Sequence, residues 1–263
     1  MITSASNRKV RDVAALLKKA AFRKETGCFV VEGIRMFREL PDGLVQTVYA
    51  TERFLAGAEP SVRERIAGLP HETVAEQVFE RMSGTESPQG ILAVALQRRD
   101  GEEALLSGER PLVLILETIQ DPGNLGTMLR AGEGAGLTAV LADRETADLY
   151  NPKVIRSTMG SIFRVPVVRT DDLKASVLRL KEGGVGIYAA HLHGSVPYDS
   201  VSYTGPAAFM IGNEARGLSE ETAALSDCRV RIPMLGSVES LNAAVAASVL
   251  LYEAARQRRN GAH

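Results

Sequence analysis

Chemistry in this 263-residue chain is best sought in three clusters of polar and small residues, all in its second half. The first is Asp121-Pro122-Gly123-Asn124-Leu125-Gly126-Thr127-Met128-Leu129-Arg130. An aspartate suits a helix N-cap and a proline the first helical position, so a helix should start where the preceding strand ends. In open α/β sheets, ligands bind at that carboxyl end. Asn124 and Arg130 lie six residues apart, about 600° of helical turn, so a joint role needs help from loop geometry. A capped helix with a surface arginine is the plainer reading. The second cluster, Phe209-Met210-Ile211-Gly212-Asn213-Glu214-Ala215-Arg216-Gly217-Leu218-Ser219, is an apolar strand emptying into a loop. Its two glycines flank Glu214 and Arg216, and Ser219 is placed to cap the next helix. Close backbone approach to a ligand fits, and so does a strand–helix turn held by a salt bridge. A phosphate-cradling P-loop is excluded, because the Lys-Ser/Thr ending is absent. The third cluster runs from Arg231-Ile232-Pro233-Met234 through Ser240-Leu241-Asn242 into Ala243-Ala244-Val245-Ala246. Small residues opening a helix, with Ser240 as its cap, admit a flat ring or a second backbone. Helix propensity alone also explains the alanines.

The elements that must position these clusters follow from periodicity. Val10, Val13, Leu16 and Leu17 mark an amphipathic helix over 7–20. Strands are expected at 28–32, 47–50, 72–75 and 91–96, and helices at 33–40, 61–67 and 76–82. Such alternation suggests a small α/β domain with a largely parallel sheet. Residues 99–110 are polar, charged and aperiodic, which suits a linker between domains 1–98 and 111–263. After it, strands are expected at 111–117, 137–142, 163–168, 186–192, 207–212 and 229–233. Helices are expected at 123–134, 152–159, 172–182 and 240–257. Uniformly apolar strands imply a sheet covered on both faces.

Together the three clusters resemble the SpoU/TrmH branch of the SPOUT RNA methyltransferases. Asn124 to Arg130 is similar to that family's first motif. Gly212-Asn213-Glu214 with Gly217-Leu218-Ser219 is similar to its second, and Ile232-Pro233-Met234 with Ser240-Leu241-Asn242 to its third. The likeness runs from about Pro111 to Arg258. The first half resembles, less specifically, the family's ribosomal-protein-like substrate-binding domain, through Cys28–Arg35 and Ser87-Pro88-Gln89-Gly90-Ile91.

The resemblance implies S-adenosylmethionine-dependent methylation of a ribose 2′-oxygen in RNA. It implies a small ribosomal-protein-like α/β domain that binds RNA, then an α/β SPOUT domain closed by a deep trefoil knot. The donor would lie near Ala190, Gly212, Ile232, Met234 and Leu241, held largely by backbone groups. Arg130 would activate the hydroxyl, with Asn124, Glu214, Ser240 and Asn242 orienting it and the substrate strand. A homodimer is implied, with 123–134 and 240–257 as its faces. Ribosomal RNA is the expected substrate. Transfer RNA is the alternative, as is a non-catalytic RNA-binding relative, against which the intact motif residues argue.

Bulk properties bound the rest. Hydrophobic content of 45% and charged content of 24% suit a folded chain with a substantial core. The net charge of −1 is no mark of a general nucleic-acid binder, but residues 1–24 carry Arg8, Lys9, Arg11, Lys18, Lys19, Arg23 and Lys24 against Asp12 alone. That segment is either an RNA-binding surface or a solvated basic face. No apolar run fits a signal peptide or membrane span, so a cytoplasmic protein is expected. Cys28 and Cys228 match no metal spacing; buried free thiols or a disulfide are open. His191 and His193 could face one metal, but no third ligand is suitably spaced, and no metal is expected. Gly132-Glu133-Gly134-Ala135-Gly136 follows a helix, which removes the context of a dinucleotide loop.

Overall fold

A computed structural model describes residues 1–260. The chain opens with α1 (Arg8–Lys18), α2 (Ala20–Thr26), β1 (Cys28–Glu32), α3 (Ile34–Glu39), β2 (Val45–Ala50) and α4 (Glu52–Gly57). Next come α5 (Pro60–Ala67), β3 (His71–Thr73), α6 (Glu76–Met82) and β4 (Ile91–Leu96). The second half runs β5 (Leu112–Leu116), α7 (Pro122–Gly134), β6 (Ala139–Ala142), α8 (Pro152–Thr158), β7 (Val167–Arg169) and α9 (Leu173–Glu182). It ends with β8 (Gly186–Ala190), β9 (Val196–Pro197), β10 (Ala207–Ile211), α10 (Glu220–Ala223), β11 (Cys228–Arg231) and α11 (Ala243–Asn260).

The first unit comprises Met1–Arg98 together with Asp148–Phe163. Its sheet has the order β1-β4-β2-β3, and β4 is antiparallel to both neighbours. Only β2 and β3 are parallel, so the largely parallel sheet expected from alternation is corrected. A helix after each strand fixes no direction, and here β4 inserts between β1 and β2 with reversed sense. Asn7 caps α1 by accepting from the Lys9 N–H, and Val10, Val13 and Leu16 face the core. The helix expected over 7–20 stops at Lys18 because Lys19 turns extended, and α2 follows. The excursion 148–163 belongs with this unit although its sequence lies inside the second half. There Tyr150 meets Phe29 with ring centroids 4.6 Å apart.

The second unit comprises, among the described residues, 99–147 and 164–260. Its seven strands, in the order β7-β6-β5-β10-β8-β11-β9, are all parallel. β5, β6 and β10 are buried along their whole length, as strands covered on both faces must be. Residues 99–110, expected to be a linker, contain a 3₁₀ turn over Glu102–Leu106 whose Leu105 joins this core. Arg258 of α11 donates to the carbonyls of Arg110, Pro111, Tyr203 and Gly205, tying the closing helix to the segments that enter the central strands β5 and β10. No described helix is long and apolar enough to cross a membrane.

Candidate active site

The order of the sheet dictates where a site can form. From β5 the chain builds outward through β6 and β7, then crosses to β8, β11 and β9 on the other side of β10. Such a reversal leaves a crevice at the carboxyl ends of the central strands. Loops following β8, β10 and β11 converge there on the start of α11.

The loop after β10 is built around close backbone approach. Asn213 and Gly217 pair as an antiparallel bridge, and the Gly217 N–H donates to the Asn213 carbonyl at 2.8 Å. Gly217 has φ +70°, where glycine is favoured. The return of the chain leaves no room at Gly212, where a Cβ would overlap the backbone of Gly217 and Leu218. Asn213 locks the turn: its Oδ1 accepts from the Ala215 and Arg216 N–H groups, and its amide donates to the Thr118 carbonyl at 2.9 Å. Thr118 itself sits at φ +58°, held there because its N–H and hydroxyl both donate to Asp143. Glu117 accepts from the N–H and hydroxyl of Ser219 and from the Thr222 hydroxyl, while Ser219 caps α10.

Across from this loop α7 starts with the expected cap, Asp121 accepting from the Asn124 N–H at 2.9 Å. The Glu214 carboxylate accepts from the Asn124 amide at 3.0 Å and from the backbone N–H groups of Asp121 and Gln120. The Asn124 Oδ1 accepts in turn from the Asn242 amide at 3.0 Å. Asn242 also accepts from the Ala244 and Val245 N–H groups, so it starts α11. Partial burial works against the Glu214 charge and is its largest single influence. The bonds from Asn124 and the backbone outweigh it and hold the carboxyl below its ordinary value of 4.5.

These loops enclose a cavity of about 400 Å³. Ala190, Gly212, Ile232, Met234 and Leu241 all line it, as do Glu214 and Ser240. Apolar Ile211, Leu218 and Leu250 alternate with polar His191, Arg216 and Glu239 around the wall. Size, mixed lining and a glycine with no space for a side chain fit a small cofactor with a flat ring and a polar tail.

Residues 111–252 match the SpoU rRNA Methylase family, more than half of the chain. The chain belongs to the SpoU rRNA methylase family. Residues 7–93 match a second family, the MRM3-like substrate binding domain. Among curated relatives, the 23S rRNA (guanosine(2553)-2'-O)-methyltransferase RlmP of Bacillus subtilis (strain 168) is 36% identical, covering 95% of this chain and 97% of its own. The 23S rRNA (uridine(2479)-2'-O)-methyltransferase of Streptomyces viridochromogenes is 31% identical, covering 97% and 92%. Among solved structures, the AdoMet-bound rRNA methyltransferase from Sinorhizobium meliloti superposes with a TM-score of 0.86 at 31% identity, covering 97% of each chain.

Within this SpoU fold, several side chains stand differently from expectation. Arg130 is exposed on α7, makes no hydrogen bond or ion pair among the described residues, and is not among those lining the cavity of its own chain. Asn124 therefore partners Glu214 and Asn242 instead of Arg130. Glu214 forms no salt bridge with Arg216, because backbone and amide donors already occupy its oxygens. Ser240 is exposed and caps nothing; Asn242 takes that place, and α11 begins at Ala243 instead of residue 240. Of the seven amino-terminal cations, Arg23 is buried, donating to Asp148 at 2.6 and 2.8 Å and to the Leu16 carbonyl at 2.6 Å. It cannot meet RNA. Arg8 pairs with Asp12 and Lys9 with Glu72, whereas Arg11, Lys18, Lys19 and Lys24 are exposed. Glu117 and Asp143 shape the site without having been singled out from sequence, and Asn213, named in the second motif, shapes it in a role not assigned there. Asn213 carried a readable signal, an asparagine between glycine-flanked loop residues, which favours a side-chain-closed turn. His191 bonds the His193 carbonyl and Glu220, and no group of three or more potential metal ligands occurs among the described residues.

Proposed function

We propose that this chain methylates the 2′-oxygen of a ribose in ribosomal RNA, with S-adenosylmethionine held in the cavity beneath the 190–193, 211–218 and 230–241 loops. The observation that carries this reading is Gly212, where only a bare backbone fits beside Gly217 and Leu218 while the same residue walls a cofactor-sized cavity. Ala190, Ile232, Met234 and Leu241 share that wall, consistent with donor binding by backbone groups and small side chains. When bound, S-adenosylmethionine supplies an electrophilic methyl group on a sulfonium. The chain must orient a ribose hydroxyl and ease the loss of its proton, since a neutral hydroxyl is a poor nucleophile.

Glu214, Asn124 and Asn242 form one linked network joining the β10 loop to α7 and α11, so they act as positioning residues. Arg130 is the cation of choice for the substrate. A guanidinium is a donor and not a base, so its role is to bind the phosphate beside the target ribose and acidify the hydroxyl, not to accept the proton. Because Arg130 lies off the cavity of its own chain, the active form is a homodimer in which a second copy supplies it. Exposed Val245 and Tyr252 on α11 give that dimer an apolar contact. The convergence of three loops on α11 supports a trefoil knot here. The first unit serves as the RNA-binding domain, and a cytoplasmic setting suits a ribosomal substrate.

Methyl-labelled S-adenosylmethionine and protein-free ribosomal RNA test this reading. Label should enter RNA with the native chain, and Arg130→Ala should slow transfer by about 100-fold or more while calorimetric donor affinity stays within about twofold. Loss of donor affinity in that variant would make Arg130 structural. No label in RNA with the native chain would remove the function.

A further inference from the structure

The first unit carries a second cavity, also about 400 Å³, at one end of its sheet. The registers Glu32↔Leu92 and Ala50↔Ile91 bring the carboxyl ends of β1 and β2 to the amino end of β4. Thr51, Arg53, Phe54, Glu76, Pro88 and Gln89 line the space between them. One glycine of its lining, Gly90, and one that packs on Gln89, Gly33, have no room for a side chain. Gly90 has φ +83°, and a Cβ there would lie 2.7 Å from the Thr51 hydroxyl and 3.0 Å from the Phe54 Cβ. Gly33 has φ +89°, and a Cβ there would lie 2.9 Å from the Gln89 Oε1. Gln89 accepts from the Ile34 N–H through that oxygen at 2.9 Å, which fixes its orientation and leaves its amide N–H groups unpartnered. The adjoining turn is organised by Glu32, whose carboxylate accepts from the Ser83 and Thr85 hydroxyls and the Gly84 N–H. That carboxylate's oxygens are thus engaged inside the loop.

What remains on the surface has a definite chemistry. Arg53 is exposed and has no hydrogen bond or ion pair among the described residues, and the same holds for Arg35, one residue beyond Ile34. Phe54 is half-buried, so part of its ring is open to the cavity. A planar cation and an aromatic ring lining one cavity, with an amide donor and a carboxylate acceptor, suit an unstacked nucleotide: phosphate on the guanidinium, base face on the ring, base edge on the polar pair. A duplex offers the phosphate but keeps its bases stacked, so no base face is free to lie on the ring. The basic amino-terminal segment, by contrast, has Arg23 inside the core and Arg8 and Lys9 already paired.

We propose that this cavity binds a single-stranded nucleotide of the substrate RNA through Arg53, Phe54, Gln89 and Glu76. The proposal rests on the reading that the chain methylates RNA and names where the first unit grips the strand. Binding of a labelled short single-stranded RNA of mixed sequence to the full chain tests it, alongside steady-state transfer to protein-free ribosomal RNA. Arg53→Glu should weaken oligonucleotide binding about tenfold, raise KM for RNA to match, and leave kcat and donor affinity unchanged. Arg53→Lys should recover most of the affinity, and Phe54→Leu, which keeps the bulk but removes the stacking face, should weaken it. Unchanged oligonucleotide affinity and KM in Arg53→Glu would overturn the proposal. So would a nucleoside monophosphate that binds as tightly as the strand and displaces it, since the cavity would then be a small-molecule site. A native chain that methylates no RNA would defeat the proposed function, whereas loss of strand binding in Arg53→Glu would still register the cavity's own role.

Discussion

Glu214 uses both carboxylate oxygens on donors from α7 and the turn before it, so it acts as a structural anion at the mouth of the cavity. Its pKa is depressed in the folded chain, so the unfolded chain binds the proton more readily. The stabilisation is therefore fully present above the unfolded value near 4.5 and is lost as pH falls through the lower folded value. A carbon-detected NMR titration of the Glu214 carboxyl should give a midpoint below 4.5. A midpoint at or above it would mean that the network with Asn124 and Asn242 does not form in solution. That Asn124, Glu214 and Asn242 lie together was legible in sequence through the resemblance of the three motifs. Their roles were not, because Asn242 reaches Asn124 across 118 positions and only the folded sheet brings the two together. Ser240 looked like the helix cap by residue type alone, yet Asn242 makes the capping bonds.

At the scale of elements, charge in sequence and charge on the surface part company in α1 and α2. The break at Lys19 lets α2 turn Arg23 inward, where its guanidinium serves Asp148 and the Leu16 carbonyl. Arg23→Ala should therefore destabilise the chain by about 2 kcal/mol, since charged hydrogen bonds in a buried setting are lost. Lys18→Ala, Lys19→Ala and Lys24→Ala should each stay within about 0.5 kcal/mol. Urea unfolding followed by circular dichroism separates the two classes, and equal effects would contradict the assignment of Arg23. Periodicity identified β1, α6 and β4 with the bounds the structure shows, because each is a short apolar or amphipathic run between clear breakers. It missed β9, whose two residues include a proline, and the direction of β4, which depends on where a strand inserts. The segment 148–163 could not be assigned from sequence either, since its attachment rests on Asp148 meeting Arg23 and Tyr150 meeting Phe29.

For the whole molecule, a net charge of −1 hides how function is divided between two units. The second unit carries the cavity proposed for methyl transfer, at the switch point of a parallel sheet, and the first carries a polar pocket beside two glycine turns of positive φ. The parallel sheet and its buried strands were legible because β5, β6 and β10 are apolar throughout. A knot is beyond such reasoning, as threaded chains are rare and leave no local pattern. The base that is modified is equally beyond it: relatives of comparable likeness act on a guanosine and on a uridine, whose riboses are the same. The ribose is thus the chemical constant, and its 2′-oxygen is where the methyl must go. Digesting ribosomal RNA labelled by the native chain to nucleosides, and locating the label by mass spectrometry, tests this most directly. The label should sit on the sugar fragment of one nucleoside type, in a dinucleotide that resists alkaline cleavage. Label on a base, or an alkali-sensitive linkage at the labelled position, would contradict it.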